Sequence, residues 1–140
     1  MGEDNAEYEI GVLLRKAHTR AAEMFNDALK PLDIQGKHFG VLLLLHRLGP
    51  LSQRQLIDHL GSDKSAMVRF IDDLEARDLC IRRPDEHDRR AHSVALTPHG
   101  EEVFARAERD ARGVSRALLA NFDPAERTQL TSLLTRFVED

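Results

Sequence analysis

The sequence predicts a mainly α-helical protein that carries one small β-hairpin. Apolar residues recur at spacings of three and four over most of the 140 residues, which is the period of an amphipathic helix. Two short stretches, 79–83 and 93–97, instead alternate apolar and polar residues on either side of a charged turn, as paired antiparallel strands do. No repeat, low-complexity segment or linker interrupts the chain, so we expect one domain over 1–140.

The first two helices are predicted at 10–29 and 36–48. The first has an apolar stripe that starts at Ile10, and it ends before Pro31, which cannot continue a helix. The second contains the uninterrupted apolar run 41–45, which on periodicity alone also fits a buried strand. We predict a helix because of the length of the segment and the Gly49-Pro50 pair that stops it.

The stretch 51–77 predicts two helices joined by a tight turn. Ser52 and Gln55 have the spacing of a capping box, so a short helix is expected to start at Ser52 and to close at Gly61. A second helix is expected at 63–77. Its predicted buried stripe consists of Met67, Phe70, Ile71 and Leu74. Two helices joined by a short turn that contains glycine form the helix-turn-helix pattern.

The opposite face of this second helix has the side chains that a DNA major groove uses. It consists of Lys64, Ser65, Val68, Arg69 and Asp72. Cations suit phosphates or guanine edges, a hydroxyl suits either, and an aliphatic group suits the methyl of thymine. The alternative is an ordinary solvated helix face, which is the commoner role of such residues elsewhere.

The two predicted strands form a hairpin directly after the helix-turn-helix. The residues expected to share its buried face are Leu79, Ile81, Val94 and Leu96. Pro84-Asp85 begins the turn, and the tip carries Asp88, Arg89 and Arg90, which are too polar to pack against a core. A basic hairpin in this place is a wing, here 80–97, and its guanidinium groups suit the negative potential of a minor groove.

Two further helices are predicted after the hairpin. Thr97-Pro98 fits an N-cap followed by proline in the first turn, and Asp123-Pro124 starts the last helix in the same way. Together with the first helix, these helices carry more apolar surface than the chain can bury on its own domain. The segments 10–30 and 98–140 are therefore expected to form a dimer, although they could also pack only on their own domain.

The composition excludes several classes of protein. The chain is 31% charged and 41% hydrophobic, as globular proteins are, and its longest apolar run is too short to cross a membrane. The N-terminus lacks the basic start and apolar core of a signal peptide, so we expect a cytoplasmic protein without a membrane partner. The single Cys80 excludes an intrachain disulfide and is expected to be a small packed residue.

The formal net charge of −4 argues against nucleic acid, whose binding proteins commonly present a basic surface. Phosphate binding needs only a local basic face, however. The cations on the proposed second helix and wing are Lys64, Arg69, Arg82, Arg83, Arg89 and Arg90. Acidic residues lie among them, so we expect weak non-specific binding and a modest salt dependence. The rival interpretation is a winged helix that contacts another protein, which an acidic balance would suit.

The middle of the chain resembles the MarR family of bacterial transcription regulators. The similar run is LSQRQLIDHLGSDKSAMVRFIDDLEARDLCIRRPDEHDRRAHSVALTPHG. Within it, Asp88-Arg89-Arg90 followed by Leu96-Thr97 matches the wing signature of that family. The similarity in plan extends to the long helices at both ends. It implies a homodimer that binds a pseudo-palindromic operator on double-stranded DNA, most often as a repressor that a small ligand releases.

The resemblance also implies roles for particular residues. The family pattern Asp-x-Arg maps onto Asp88 and Arg90, so that Asp88 orients the arginine and Arg90 enters the minor groove, while Arg89 contacts backbone or solvent. Which of the two arginines enters the groove stays open. The expected DNA-binding residues are Ser52, Gln53, Ser62, Lys64, Ser65, Val68, Arg69, Arg89 and Arg90, although the two serines could be helix caps alone. The expected dimer interface includes Ile10, Leu13, Leu118, Phe122, Leu130, Leu134 and Phe137.

Effectors of the family, often aromatic or phenolic carboxylates, bind between the dimer helices and the winged domain. The residues expected to line such a site here are Arg15, His18, His38, Phe39 and Leu42. Arg15 is expected to meet a carboxylate. The alternative is that Phe39 and Leu42 belong to the core and that the others are merely exposed.

Other chemistry is not indicated. The seven histidines are scattered without the spacing of a zinc site, so neither a metal nor another cofactor is expected. Asp58, His59 and Ser62 are near one another in sequence, but no oxyanion or cofactor motif accompanies them, so we do not expect an enzyme. The peroxide-sensing branch of the family has its reactive cysteine in the first helix, where this chain has none.

Overall fold

A computed structural model describes residues 3–88, 90 and 92–139 and shows a helical protein with one small antiparallel sheet. The elements in chain order are α1 (Glu3–Leu29), α2 (Gly36–Leu48), β1 (Leu51–Ser52), α3 (Gln53–Leu60), α4 (Lys64–Ala76), β2 (Cys80–Pro84), β3 (His92–Leu96), α5 (Pro98–Leu118) and α6 (Pro124–Val138). A single 3-10 turn, Lys30–Leu32, separates α1 from α2. The predicted fold class, mainly α with a β-hairpin wing, is confirmed.

The apolar run 41–45 lies within α2, so the helix rather than the strand is correct. Gly49 ends this helix with a positive φ of 79°, and its N–H donates to the carbonyl oxygen of Leu45. Helix α1 begins at Glu3 rather than at the predicted Ile10. The residues before Ile10 show no apolar residues at helical spacing, so apolar spacing could not predict that they are helical.

The sheet has three strands in the order β1-β3-β2, all antiparallel. The sequence predicted only the outer hairpin, β2 with β3. Strand β1 pairs Leu51 with Val94 and Ser52 with Ser93. Two residues are too few to show an alternating pattern, so this strand could not be predicted, and it joins the base of the wing to the start of α3.

The core lies where α2, α3, α4, β3 and α5 meet. Its largest fully buried side chains are Phe104, Leu29, Leu42, Leu56, Met67, Ile71, Leu74, Val41 and Val94. Each apolar side chain of this size contributes about 1.5–3 kcal/mol when it leaves water. This packing fixes α4 against the rest of the winged unit, so that only the opposite face of α4 is available to a partner.

One predicted strand face is wrong. Ile81 was expected inside, but its side chain is 42% exposed, and Cys80 is buried instead. The register explains the difference, because Cys80 lies opposite Leu96 and Arg82 lies opposite Val94. The inward-facing residues of β2 are therefore Cys80 and, in part, Arg82, and the strand starts one residue later than predicted.

Helix α6 has no buried residue, and the first half of α1 is likewise exposed on its described side chains. Both helices nevertheless carry large apolar residues. Among the described residues, no helix combines the length and the apolar character that crossing a membrane requires. The apolar side chains of α1 and α6 are thus largely uncovered in the single chain.

Candidate nucleic-acid interface

Helices α3 and α4 are set by local hydrogen bonds at their starts. The Ser52 hydroxyl accepts from the Gln55 N–H at 3.1 Å, and the Gln55 side chain accepts from the Ser52 N–H at 2.9 Å, so the predicted capping box is confirmed. Gly61 closes α3 with φ at 69°, a left-handed conformation that glycine adopts without strain. The Asp63 carboxylate then caps α4 by accepting from the Ala66 N–H at 2.7 Å. Ser62 caps neither helix.

The outer face of α4, defined by Lys64, Ser65, Val68 and Arg69, points away from the core. Lys64, Ser65 and Arg69 are exposed, and Val68 is half-buried. The opposite face carries the fully buried Met67, Ile71 and Leu74. The structure therefore brings the four predicted groove-facing residues together on one surface.

Two aspartates shape the tip of the wing. The Asp85 carboxylate accepts from the His87 N–H at 2.8 Å, and the Asp88 carboxylate accepts from the Arg90 N–H at 3.0 Å. Such bonds from an aspartate to the backbone two residues later stabilise a turn. Asp88 thus acts on the backbone of Arg90, whose side chain is exposed. Arg89 lies outside the described residues.

The basic surface is smaller than the sequence suggests. Arg82 makes ion pairs with Asp72 at 2.8 Å and with Glu75 at 2.9 Å, so its charge is already matched. The other described cations among the six predicted on α4 and the wing are Lys64, Arg69, Arg83 and Arg90. Non-specific attraction to DNA should accordingly be weak.

A groove of about 640 Å³ runs between the start of α3 and the wing. Ser52 and Gln53, two of the expected DNA-binding residues, line it together with Arg54, which sequence reasoning missed. Arg54 lies within the capping box, two residues after Ser52, and is exposed, so its position at the start of α3 was the available signal. Hydroxyl, amide and guanidinium donors beside a helix N-terminus suit a phosphate, whereas Asp58, Asp85 and Asp88, which line the same groove, oppose one.

A second cavity of about 580 Å³ lies between α1 and the winged unit. Its lining includes His18, Phe25, Lys37, Phe39, Leu60 and Phe70. Ser62 also lines this cavity rather than the wing side of the molecule. The cavity is largely apolar, with Lys37 and His18 as its basic groups.

The sequence and the fold of known proteins match this chain closely. The MarR family model matches residues 36–92, from α2 to the first residue of β3. NicR, an HTH-type transcriptional repressor of Pseudomonas putida, is 29% identical over 140 residues, covering 97% of this chain and 89% of NicR.

Residues 36–92 thus match the MarR family, and the chain is similar to regulators of that family over nearly its whole length. The family consists of DNA-binding transcriptional regulators. Structural likeness extends beyond the matched segment. A structure that concerns regulation of DNA binding of Bordetella bronchiseptica BpsR by 6-hydroxynicotinic acid has a TM-score of 0.86 at 27% identity, over 94% of this chain and 99% of BpsR. An Escherichia coli MarR variant complexed with operator DNA has the same fold, with a TM-score of 0.88 at 24% identity over 99% of both chains.

The predicted ligand residues do not all line the cavity. His18 and Phe39 line it, whereas Leu42 is fully buried in the core and Arg15 is exposed on α1 away from it. The basic group that does line the cavity beside His18 is Lys37, with its Nζ 5.7 Å from the centroid of the Phe70 ring. Lys37 was missed because the apolar stripe of α2 does not reveal which residues lie at its edge.

His38 is a structural residue and does not line this cavity. Its side chain is 4% exposed, and its Nδ1 accepts from the Gln35 N–H at 3.0 Å, which completes the cap of α2. Nε2 lies 3.4 Å from the Asp73 carboxylate on α4. Burial is the largest influence on this imidazole and lowers its pKa below the usual 6.5, although Asp73 opposes the shift.

Cys80 is packed against the core as predicted. Burial raises the pKa of its thiol to about 12, with the nearby Glu75 adding to the shift. Because the thiolate is the reactive form, this cysteine is protected from oxidants at neutral pH.

The apolar residues predicted for a dimer interface lie on the outside of the single chain. Ile10, Leu13, Phe122, Leu134 and Phe137 are exposed. Leu118 and Leu130 are half-buried. They belong to α1, α6 and the segment from the end of α5 to the start of α6.

Proposed function

We propose that this chain is a homodimeric repressor whose release from its operator is driven by a small aromatic carboxylate. One observation carries the proposal: α4 takes part in both candidate sites. Its outer face presents Lys64, Ser65 and Arg69, and its inner side contributes Phe70 to the cavity against α1. A ligand in that cavity therefore touches the helix that would read DNA.

On DNA, the outer face of α4 enters the major groove. Arg69 suits a guanine edge, Lys64 and Ser65 suit phosphates, and Val68 suits a thymine methyl. Arg90 at the wing tip then reaches the adjacent minor groove, where a narrow groove attracts arginine. Ser52, Gln53 and Arg54 lie at the start of α3, where backbone phosphates would pass.

A second copy of the chain covers the apolar surfaces of α1 and α6. A helix of 15 residues without one buried side chain has little to hold it in place alone. Two-fold symmetry would then place two α4 helices about 34 Å apart, which is one turn of the DNA duplex.

The ligand class follows from the lining of the cavity. Phe25, Phe39, Leu60 and Phe70 offer contacts for an aromatic ring, and Lys37 and His18 offer donors for a carboxylate. The proposal agrees with the ligand of BpsR, 6-hydroxynicotinic acid, and with the repressor NicR. A bound ring would release DNA only by favouring a position of α4 that spoils the spacing of the two reading helices.

Footprinting on DNA that flanks the gene tests the proposal, with and without 6-hydroxynicotinate or 4-hydroxybenzoate as probes. We expect a protected near-palindrome that either probe weakens. Lys37→Gln should raise the probe concentration needed for release roughly tenfold while leaving ligand-free operator binding intact. Lys30→Gln is the matched control, because Lys30 is an exposed lysine that pairs with Asp27 at 3.1 Å and does not line the cavity.

The outcomes separate the parts of the proposal. No protection at low salt by a folded dimer would reject DNA reading and favour the protein-contact interpretation. Protection that neither probe alters would reject the aromatic-carboxylate effector. Equal responses of the two lysine variants would reject Lys37 as the carboxylate partner.

A further inference from the structure

Arg82 is surrounded by acceptors from α4 although it lies in the wing. Its Nη2 donates to the Asp72 carboxylate at 2.8 Å, and its Nη1 donates to the Glu75 carboxylate at 2.9 Å. The second oxygen of Glu75 accepts from the backbone N–H of Arg82 at 2.9 Å. The Arg82 side chain is 26% exposed, so water screens these bonds only in part.

This cluster of Arg82, Asp72 and Glu75 joins two separate elements. Arg82 is the central residue of β2, while Asp72 and Glu75 lie one turn apart on α4. Within the described part of the chain, no other ion pair links the hairpin to α4. The cluster therefore fixes the angle between the wing and the helix that carries the outer face.

The same geometry makes Arg82 a poor DNA contact. One guanidinium and two carboxylates leave the cluster with a net negative charge, which repels phosphate. Breaking the cluster to reach DNA would leave two carboxylates without their cation beside a polyanion. A guanidinium held by two carboxylates at once also loses the freedom to reorient toward a ligand.

We propose that Arg82 is a positioning residue: it holds the wing at the angle to α4 at which the tip arginine and the outer face of α4 engage DNA together. This inference rests on the proposed operator binding. It assigns a basic residue of a DNA-binding wing to an internal contact, and it assigns Asp72, which lies on the exposed side of α4, to the same contact.

The direction in which one double substitution changes operator affinity distinguishes a positioning role of Arg82 from a DNA contact. Asp72→Asn with Glu75→Gln removes two negative charges near the duplex and frees the Arg82 guanidinium. If Arg82 contacts DNA, this variant binds the operator more tightly than the parent chain. If Arg82 positions the wing, the variant binds more weakly, roughly tenfold, because one arm of the interface is lost.

A double-mutant cycle between Arg82 and Arg90, measured as operator affinity, gives a second test. Arg82→Gln should weaken operator binding roughly tenfold in the parent chain but little in an Arg90→Ala background, because a wing without its tip contact gains nothing from its angle. Arg83→Gln is the matched control, since Arg83 is an exposed neighbour on the same strand that lies outside the cluster. Its effect should be the same in both backgrounds.

Two results would overturn the inference: tighter binding by the Asp72→Asn, Glu75→Gln variant, or equal effects of Arg82→Gln in the two backgrounds. Thermal melts of each variant, followed by circular dichroism, ensure that only folded protein is compared. If neither the parent chain nor its Arg90→Ala variant prefers the operator over unrelated DNA, the proposed operator binding fails instead. This failure is distinguishable from failure of the positioning role.

Discussion

Phe70 packs edge-on against His38, with 5.5 Å between the ring centroids. The contact joins α4 to the start of α2, and His38 continues it by approaching Asp73 one turn further along α4. Phe70 also lines the proposed ligand cavity. A bound aromatic ligand that displaces the Phe70 ring would therefore also displace His38, which completes the cap of α2. The orientation of α4 thus depends on side chains that the proposed ligand touches.

His38 makes stability depend on pH. Its pKa is lowered in the folded chain relative to the usual 6.5, so the unfolded chain binds more protons as the pH falls below that value. The free energy of unfolding should be undiminished above pH 6.5 and should decrease as the pH falls through the folded-state pKa. Urea denaturation at several pH values between 7.5 and 5.5 measures this dependence.

His38→Gln is the variant that tests the origin of the dependence. Its amide oxygen can still accept from the Gln35 N–H, but it does not titrate. The decrease of stability over this pH range should be smaller in His38→Gln than in the parent chain, whereas His18→Gln should retain it. An unchanged pH dependence in His38→Gln would assign the effect to other groups.

Among the glycines that the structure describes, Gly100 has the closest neighbour. A Cβ at this position would lie 2.0 Å from the carbonyl oxygen of Leu79, and backbone cannot move aside as a flexible side chain can. Gly100→Ala should therefore lower the free energy of unfolding by about 3 kcal/mol. The control is Gly113→Ala in the same helix, where nothing lies within 4 Å and alanine should be neutral or stabilising by up to about 1 kcal/mol. Similar urea midpoints for the two variants would contradict the prediction.

Cys80 should be chemically silent in the folded protein. Its thiol is buried with a pKa of about 12, so almost no thiolate exists at neutral pH. A disulfide reagent that reports thiols by absorbance should react slowly at pH 7.5 and rapidly after denaturation in urea. Peroxide treatment should leave operator binding unchanged. Rapid modification of the native protein would show that the first strand of the wing opens readily.

The apolar stripe of α6 should be required for assembly. Leu134→Glu places a charge on an exposed apolar residue of the proposed interface and should shift the chain from dimer to monomer in light scattering. Operator affinity should fall with it, because the two reading helices would no longer be linked. Ser132→Glu, which changes an exposed residue on the other side of α6, should remain dimeric. A dimeric Leu134→Glu variant would place the interface elsewhere.

Residues whose role follows from neighbours in sequence were predicted well. The capping box of Ser52 and Gln55, the Gly-Pro stop of α2 and the outer face of α4 all follow from spacings of one to five residues. Residues whose role follows from tertiary contacts were not. Nothing near Arg82 in sequence indicates that Asp72 and Glu75 will surround it, so its charge was counted as available for DNA.

The candidate ligand site likewise contains residues whose roles depend on tertiary contacts and could not be predicted from sequence. His38 was predicted as a ligand residue, but its Nδ1 closes a helix cap and its Nε2 faces Asp73, 35 residues away. Lys37, its neighbour, was not predicted. Which of two adjacent residues faces a cavity depends on how α1 crosses α2, and the crossing is set by packing that one sequence does not reveal.

Helix α4 carries the residues of its two proposed sites on different faces. Lys64, Ser65 and Arg69 face outward, while Phe70 lines the cavity. We therefore expect that a substitution on the outer face can change the proposed operator preference without altering the lining of the cavity, and that a substitution in the cavity can leave the outer face unchanged. Duplicated copies of such a gene would then be able to diverge in target or in effector one substitution at a time.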